Sequence, residues 1–124
     1  MRPIEPTDGA STSYPYSSGI VEGPAVYVSG HIGTDPETGE VVDGGIEAET
    51  KQALANIAAV LEAADASLED VVKTTVYLTD ADDFEGFNAA YESQLSEPYP
   101  ARTTVVSDLV VDAAIEIDVV ATVS

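Results

Sequence analysis

The stretch EPYPARTTVV, residues 97–106, places one of the chain's few basic residues where a strand should begin. The chain has 4 Lys and Arg against 23 Asp and Glu, and Arg102 stands between a proline-rich turn and a β-branched run. A guanidinium group stays ionised and offers a planar pair of donors that matches a carboxylate with two parallel hydrogen bonds. Arg102 is therefore either an anion-binding residue or a structural ion pair with one of the chain's own carboxylates, and composition alone slightly favours the ion pair.

A second candidate is Glu116, in the segment AAIEIDVV near the end of the chain. It alternates with Ile115 and Ile117, a pattern that predicts a strand with Glu116 on one face and Asp118 beside it. A carboxylate on a central strand can orient or deprotonate a water molecule. A solvated strand face is the alternative, and the sequence supports it equally well.

Several other polar residues could line a site. Asn88 lies beside a predicted apolar stripe, where an asparagine more commonly satisfies a backbone group. Tyr16 and Ser29 flank a predicted hairpin and could either donate to a ligand or be ordinary strand residues. His31 is the one imidazole, and its spacing gives little support for a Ser/His/Asp triad. Lys73 could form a Schiff base in principle, but no cofactor motif accompanies it, so a charge partner for neighbouring acids is favoured.

The composition argues against several classes of site and location. Cysteine is absent, which excludes disulfides, thiol nucleophiles and thiolate metal sites. A single histidine without cysteine also leaves too few nitrogen or sulfur ligands for zinc. The start, MRPIEPTDG, has no apolar segment, and no apolar run approaches the ~18 residues of a membrane span. We therefore expect a soluble, cytoplasmic protein with no membrane partner.

The formal net charge of −19 is spread along the whole chain. A disordered acidic chain is disfavoured, because 44% of the residues are hydrophobic and several segments are clearly periodic. Scattered acidic residues suit a globular protein in concentrated salt, where self-repulsion is screened. The same charge disfavours nucleic acid as a partner, since a phosphate backbone requires rows of Lys and Arg.

At 124 residues the chain fits one domain, 1–124, and its first half predicts mostly short strands. Residues 1–15 are rich in Pro, Ser and Thr, which predicts an irregular N-terminal arm. Two short strands follow at 18–21 and 25–29, and a possible third lies at 40–42 after a turn-rich loop.

The second half predicts two helices among longer strands. Residues 46–64 carry one apolar stripe at helical spacing, opposed by acidic and amide side chains. The remaining predicted elements are a strand at 71–79, a second helix capped by Asp80 or Asp82, and strands at 102–107 and 114–123.

This order, ββ(β)αβαββ, predicts an α+β architecture with one sheet and both helices on one face. The other face is also expected to be apolar, because Val72, Val76 and Leu78 alternate with residues that are hardly more polar. A sheet that is apolar on both faces needs a second cover. With two helices available, we expect another subunit to supply it.

Four stretches together resemble the RidA/YjgF family of reactive intermediate deaminases. Each motif alone is modest, but their order and spacing agree from about Tyr16 to Val123. The matching stretches are VSGHIGTDPETGEVV (28–42), QALANIAAVLEAADASLEDVVKTTVYLTDADDFEGFNAAY (52–91), YPARTTV (99–105) and IEIDVVA (115–121).

The resemblance implies a chorismate-mutase-like fold and a homotrimer whose sheets form a barrel, with the helices outside. It implies hydrolytic deamination of 2-imino acids such as 2-iminobutanoate to 2-oxo acids and ammonia, in clefts between subunits, without metal or organic cofactor. The family's carboxylate-clamping arginine falls on Arg102, and the glutamate thought to position water falls on Glu116. The other pocket positions fall on Tyr16, Ser29, Gly30, Asn88 and Thr104.

Three departures from the family pattern concern the shape of the pocket. Tyr14 stands where the family usually has glycine, His31 where glutamine is common, and Thr104 where cysteine is frequent. They leave the carboxylate clamp intact but bear on the substrate range.

Other functions fit the same residues less well. A non-catalytic carboxylate-binding or holdase-like member of the fold family is the main alternative. The net charge of −19 disfavours a ribonuclease. A chorismate mutase is disfavoured because a dianionic substrate would need several cations in the pocket, and only Arg102 is well placed.

Overall fold

A computed structural model describes residues 1–8 and 12–123, which form one mixed β-sheet with two helices. The six strands lie in the order β1-β2-β3-β6-β4-β5. All neighbouring strands are antiparallel except β4 and β5, which are parallel and joined through the second helix. The strands are β1 Arg2–Ile4, β2 Gly19–Glu22, β3 Ala25–His31, β4 Val71–Leu78, β5 Ala101–Val106 and β6 Ile115–Thr122.

The predicted strands are confirmed with two differences. β1 pairs with β2 at the edge of the sheet, so the irregular arm predicted for residues 1–15 is wrong at Arg2–Ile4. Residues 9–11 of that arm lie outside the described residues. The possible strand at 40–42 is reduced to an isolated bridge between Thr34 and Val41.

Both predicted helices are present. Helix α1, Gly45–Glu62, begins after Gly44, whose φ of 116° is readily available only to a residue without Cβ. The predicted apolar stripe supplies its buried residues from Ala53 to Leu61. Helix α2, Phe84–Gln94, follows a 3₁₀ turn whose cap is Asp80, because the Asp80 carboxylate accepts from the Asp82 N–H at 2.9 Å.

The core lies between the helices and one face of the sheet. Alternate residues of β6 are buried there, together with Val76 and Leu78 of β4 and Phe87 of α2. This arrangement confirms an α+β fold with both helices on one face.

The sheet face away from the helices is more polar than the sequence predicted. Val76 and Leu78 point into the core instead, and Val72 sits at an irregularity in the β4–β6 pairing, where it is 48% exposed. The open face carries Thr75 and Tyr77 of β4 opposite acidic residues of β6. The open face is therefore mixed rather than apolar throughout: beside these polar groups it carries Tyr27 and Val105, which are 49% and 40% exposed. The covering subunit stays a prediction.

Within the described residues, no helix is both long and apolar enough to cross a membrane.

Candidate functional site

The predicted site residues fall into two separate clefts. Arg102 and Asn88 line a cleft of about 330 Å³ beside α2. Tyr16, Ser29, Gly30 and Glu116 line a larger cleft of about 850 Å³ near the end of β3. Thr104, the remaining predicted residue, lies on the same face of β5 as Arg102 but lines neither cleft.

The register of the sheet explains this separation. In the parallel ladder Arg102 lies opposite Thr74, and in the antiparallel ladder Thr74 lies opposite Val119, so all three share the face that the helices cover. Glu116 lies opposite Tyr77. Side chains alternate between the two faces along a strand, and Glu116 and Tyr77 are an odd number of residues from Val119 and Thr74, so they lie on the open face. One copy of the chain cannot place both groups on one small molecule.

The guanidinium of Arg102 has no carboxylate partner among residues 1–8 and 12–123. Its Nη1 donates to Asn88 Oδ1 at 2.8 Å, and the one ion pair in this set joins the Met1 amino group to Glu22 at 3.2 Å. The structural ion pair that composition slightly favoured for Arg102 is therefore not formed. Asn88, expected to satisfy a backbone group, binds the arginine side chain instead. An arginine offers five N–H donors, so most of the donors of Arg102 remain available to a ligand.

Glu116 and Gly30 fit together closely in the larger cleft. A Cβ on residue 30 would collide with the Glu116 carboxylate, whose Cδ lies 2.8 Å from the position that such an atom would take. Glycine at residue 30 therefore leaves the space in which the Glu116 side chain lies.

The electrostatic environment of Glu116 is unfavourable to its charge. Burial, and secondly the negative charge of Asp118 on the same face, raise the pKa of Glu116 above its ordinary value. The Asp118 carboxylate accepts from Tyr77 Oη at 3.1 Å, and burial followed by this carboxylate raises the pKa of Tyr77. A carboxylate with a raised pKa is better suited to accept and return a proton near neutral pH.

His31 lies at the end of β3 and lines the same cleft. Its Nδ1 lies 2.6 Å from the carbonyl oxygen of Ser29, so in the neutral ring Nδ1 donates and Nε2 remains an acceptor. Burial lowers the pKa of His31, against the opposing effects of the Ser29 carbonyl and of the Asp8 charge. The imidazole is therefore mainly neutral at neutral pH.

Hydrogen bonds to the backbone fix the walls of this cleft. Ser29 Oγ donates to the Ser17 carbonyl at 2.6 Å, and Ser29 N–H donates to the Ser18 carbonyl at 3.0 Å. These two bonds hold the segment that carries Tyr16, a residue that is 55% exposed, against β3.

Helix α1 holds the loops at the same end of the sheet. Asn56 Nδ2 donates to the carbonyls of Ile32 and Thr34 at 3.0 and 2.8 Å. Glu49 Oε1 accepts from the Ala114 N–H at 2.9 Å, directly before the strand that carries Glu116. The helix thus positions both β3 and β6 at the cleft.

Lys73 does not have the partner that the sequence favoured. Its Nζ donates to the Thr74 carbonyl at 2.9 Å, to Thr103 Oγ1 at 3.1 Å and to Thr75 Oγ1 at 3.4 Å, with no acid of the described residues in ion-pair range. The lysine interacts with neutral oxygens on the open face of the sheet.

The aromatic environment of Arg102 could not be predicted from the sequence. The apolar stripe predicted beside Asn88 contains Phe84, Phe87 and Tyr91, and all three rings contact the arginine. Helical spacing could identify the stripe, but only the parallel register of β5 shows that Arg102 lies beside it. Among the described residues, no group of three or more His, Asp or Glu side chains could hold a metal ion.

Comparison with known proteins identifies the family. The sequence profile described as endoribonuclease L-PSP matches residues 7–123. A RutC family protein of Pyrococcus abyssi is 49% identical over 108 residues, which cover 86% of this chain and 85% of that protein. The chain belongs to the RidA/YjgF family. The human 2-iminobutanoate/2-iminopropanoate deaminase, another RidA/YjgF relative, is 42% identical over 108 residues, covering 86% of this chain and 79% of that protein.

The RidA/YjgF fold extends over the whole chain. The crystal structure of E. coli TdcF with bound serine superposes with a TM-score of 0.91 at 32% identity and covers 100% of both chains. The likeness confirms the predicted mixed sheet with two helices.

Proposed function

We propose that this RidA/YjgF protein hydrolyses 2-imino acids, such as 2-iminobutanoate, to 2-oxo acids and ammonia. The observation that carries the proposal is the guanidinium group of Arg102, whose planar pair of N–H donors we call its fork. It is one of four basic residues in a chain with 23 acids, yet it contacts none of the described carboxylates and lines a cleft. Such a group can hold a substrate carboxylate in a fixed direction.

Relatives support the same chemistry. The human relative is named for the deamination of 2-iminobutanoate and 2-iminopropanoate. The serine named in the TdcF structure carries a carboxylate and a nitrogen on adjacent carbons, as a 2-imino acid does. Serine and the two 2-imino acids all carry a carboxylate, the group that Arg102 is suited to bind.

Glu116 supplies the second function, the handling of protons. The Glu116 carboxylate accepts a proton from water as the water oxygen bonds to the carbon of the protonated imine, which gives a carbinolamine with an uncharged amino group. Glu116 then returns this proton to the amino nitrogen, and the C–N bond breaks. Ammonia leaves and takes the remaining hydroxyl proton, so that the products are a 2-oxo acid and ammonium.

The opposite placement of Arg102 and Glu116 requires two copies of the chain. We propose that Arg102 and Asn88 of one copy face Glu116, Ser29 and Gly30 of a neighbour, in a homotrimer with three such clefts. Each half of the site is already formed in the single chain, Arg102 through Asn88 and Glu116 through Gly30. In the assembly, Arg102 of one copy and Glu116 of its neighbour then contact the same substrate.

The family description as an endoribonuclease does not fit the charge of this member. A net charge of −19 repels RNA, and 4 Lys and Arg cannot neutralise a phosphate backbone. A small monocarboxylate requires only one well-placed cation.

The test of the proposal is an imine hydrolysis assay. A dehydratase generates 2-iminobutanoate from threonine in high KCl without added metal, and the release of 2-oxobutanoate is followed with and without this protein. We expect acceleration in proportion to the protein, lost in Arg102→Ala and retained in Lys51→Ala, which removes a similar charge from an exposed position on α1. Unchanged rates for both 2-iminobutanoate and 2-iminopropanoate, together with measurable binding of 2-oxobutanoate, would instead indicate a non-catalytic binding protein.

A further inference from the structure

Three aromatic rings of α2 surround the guanidinium group of Arg102. Its Cζ lies 5.0 Å from the ring centroids of Phe87 and Tyr91 and 5.8 Å from that of Phe84. A cation within about 6 Å of a ring centroid is attracted by the negative face of the ring. We refer to these three side chains as the aromatic cradle.

Two members of the cradle are fixed by the core. Phe87 is completely buried, and its ring centroid lies 5.2 Å from that of Tyr91. The Tyr91 hydroxyl lies 2.8 Å from Thr74 Oγ1 in a buried hydrogen bond, and Thr74 is the residue opposite Arg102 in the sheet. The cradle is therefore tied to the strand that neighbours the arginine.

Phe84 differs because it lies at the rim. The residue is 42% exposed, and its ring centroid lies 6.4 Å from that of Phe87. Although a half-exposed phenylalanine stabilises a core less than a buried one, it can restrict the side chain that lies against it.

We infer that the aromatic cradle, with Phe84 at its rim, holds the guanidinium in the orientation that binds a carboxylate. Asn88 takes one N–H through the contact with Nη1, so the remaining donors are left for the ligand. A free arginine on an exposed strand would lose rotamer freedom on binding, and the cradle removes part of that loss beforehand. Phe84 is thus a positioning residue. This inference deepens the proposed function, since it names what positions the carboxylate clamp.

Nuclear magnetic resonance can test the cradle without turnover. The chain has two arginines, Arg2 and Arg102, so its Nε–Hε spectrum should contain two arginine signals, and Arg102→Lys identifies one of them. Phe84→Leu keeps an apolar side chain but removes the ring, whereas Phe84→Tyr keeps the ring. In Phe84→Leu we expect the Arg102 signal to move toward that of the exposed Arg2, and in Phe84→Tyr to stay near its wild-type position.

Binding and catalysis should follow the same pattern. Phe84→Leu should weaken binding of 2-oxobutanoate and lower kcat/KM by about threefold to tenfold, the range expected for losing one cation–π contact, and Phe84→Tyr should restore both. Val72→Ala, which truncates a similarly exposed side chain at the start of β4, should change neither.

Two results would overturn the inference. One is an Arg102 signal that does not move in Phe84→Leu. The other is a lower melting temperature in Phe84→Leu with unchanged binding of 2-oxobutanoate, which would assign Phe84 to stability alone. An inactive wild-type protein would contradict the proposed function, whereas the arginine signals would still decide whether the cradle positions Arg102.

Discussion

Arg102 on β5 and Glu116 on β6 lie on opposite faces of one sheet, separated by β4. Arg102 packs on the helix side against the rings of α2, whereas Glu116 lies on the open side against Gly30. Each is supported by its own neighbours, yet neither completes a site alone. Under the proposed function, a substrate that contacts both side chains must therefore lie between at least two copies of the chain.

The fork of Arg102 should matter beyond its charge. Arg102→Lys keeps a cation but replaces two directed hydrogen bonds by one contact of free direction. Because hydrogen bonds to charged groups contribute roughly 1.5–3 kcal/mol each, kcat/KM should fall about tenfold to a hundredfold. The measurement is kcat/KM together with the melting temperature of the same preparation in high KCl. A large loss of stability with normal kcat/KM would assign Arg102 to architecture.

Glu116→Gln should reduce activity and increase stability at the same time. If Glu116 transfers protons, kcat should fall about a hundredfold or more, with little change in the binding of 2-oxobutanoate. The raised pKa of Glu116 means that its ionised form is disfavoured in the folded state. Replacing the carboxylate by a neutral amide removes that cost, so the melting temperature at pH 7 should rise.

The stability gained in Glu116→Gln should depend on pH. Below the ordinary pKa of 4.5, Glu116 is protonated in both the folded and the unfolded chain and does not reduce folding stability. The loss of stability develops as the pH rises through the higher folded pKa. The stability advantage of Glu116→Gln should therefore be absent below the ordinary pKa and should grow as the pH rises through the folded pKa. Equal melting temperatures of the two proteins at pH 7 would show that Glu116 is not held in an unfavourable environment.

The periodic elements could be predicted from the sequence, whereas the residues of the candidate site came from the family resemblance and their roles stay a prediction. The stripe of α1 and the alternation of β6 gave the correct burial, because one apolar face of each packs against the core. β1 could not be predicted, since three residues that include a proline carry no periodic signal. The irregularity at Val72 changes which residues of β4 face the core, and the sequence carries no sign of it.

The arrangement of the candidate site depended on contacts between distant segments. The register that places Arg102 opposite Thr74 is set by packing, and the contact from Arg102 to Asn88 follows from it. The resemblance placed Arg102 and Glu116 in one site, but only the three-dimensional register shows that a single chain separates them.

His31 should produce a separate pH signature in stability. Burial lowers its pKa in the folded state below 6.5, so the unfolded chain takes up the proton first as the pH falls. Stability from the neutral imidazole is therefore complete above pH 6.5 and is lost as the pH falls toward the lower folded pKa. Of the groups around the ring, the Ser29 carbonyl and Asp8 oppose this shift but do not exceed the effect of burial.

The corresponding variant is His31→Gln, which cannot take up a proton in this range. Melting temperatures of both proteins in the same KCl buffers should converge or cross as the pH falls below 6.5, with the wild type losing more. Parallel curves from neutral pH to pH 5 would contradict a buried, neutral His31.

Complementation between two inactive variants tests the shared site most directly. Arg102→Ala and Glu116→Gln are co-expressed with different tags, and oligomers that carry both tags are isolated. In a cyclic trimer each mixed assembly retains one complete cleft, with Arg102 from one copy and Glu116 from its neighbour, so about one third of wild-type activity should return. Each variant alone should be nearly inactive. Doubly tagged oligomers that are no more active than the separate variants would contradict a site built from Arg102 and Glu116 of two copies.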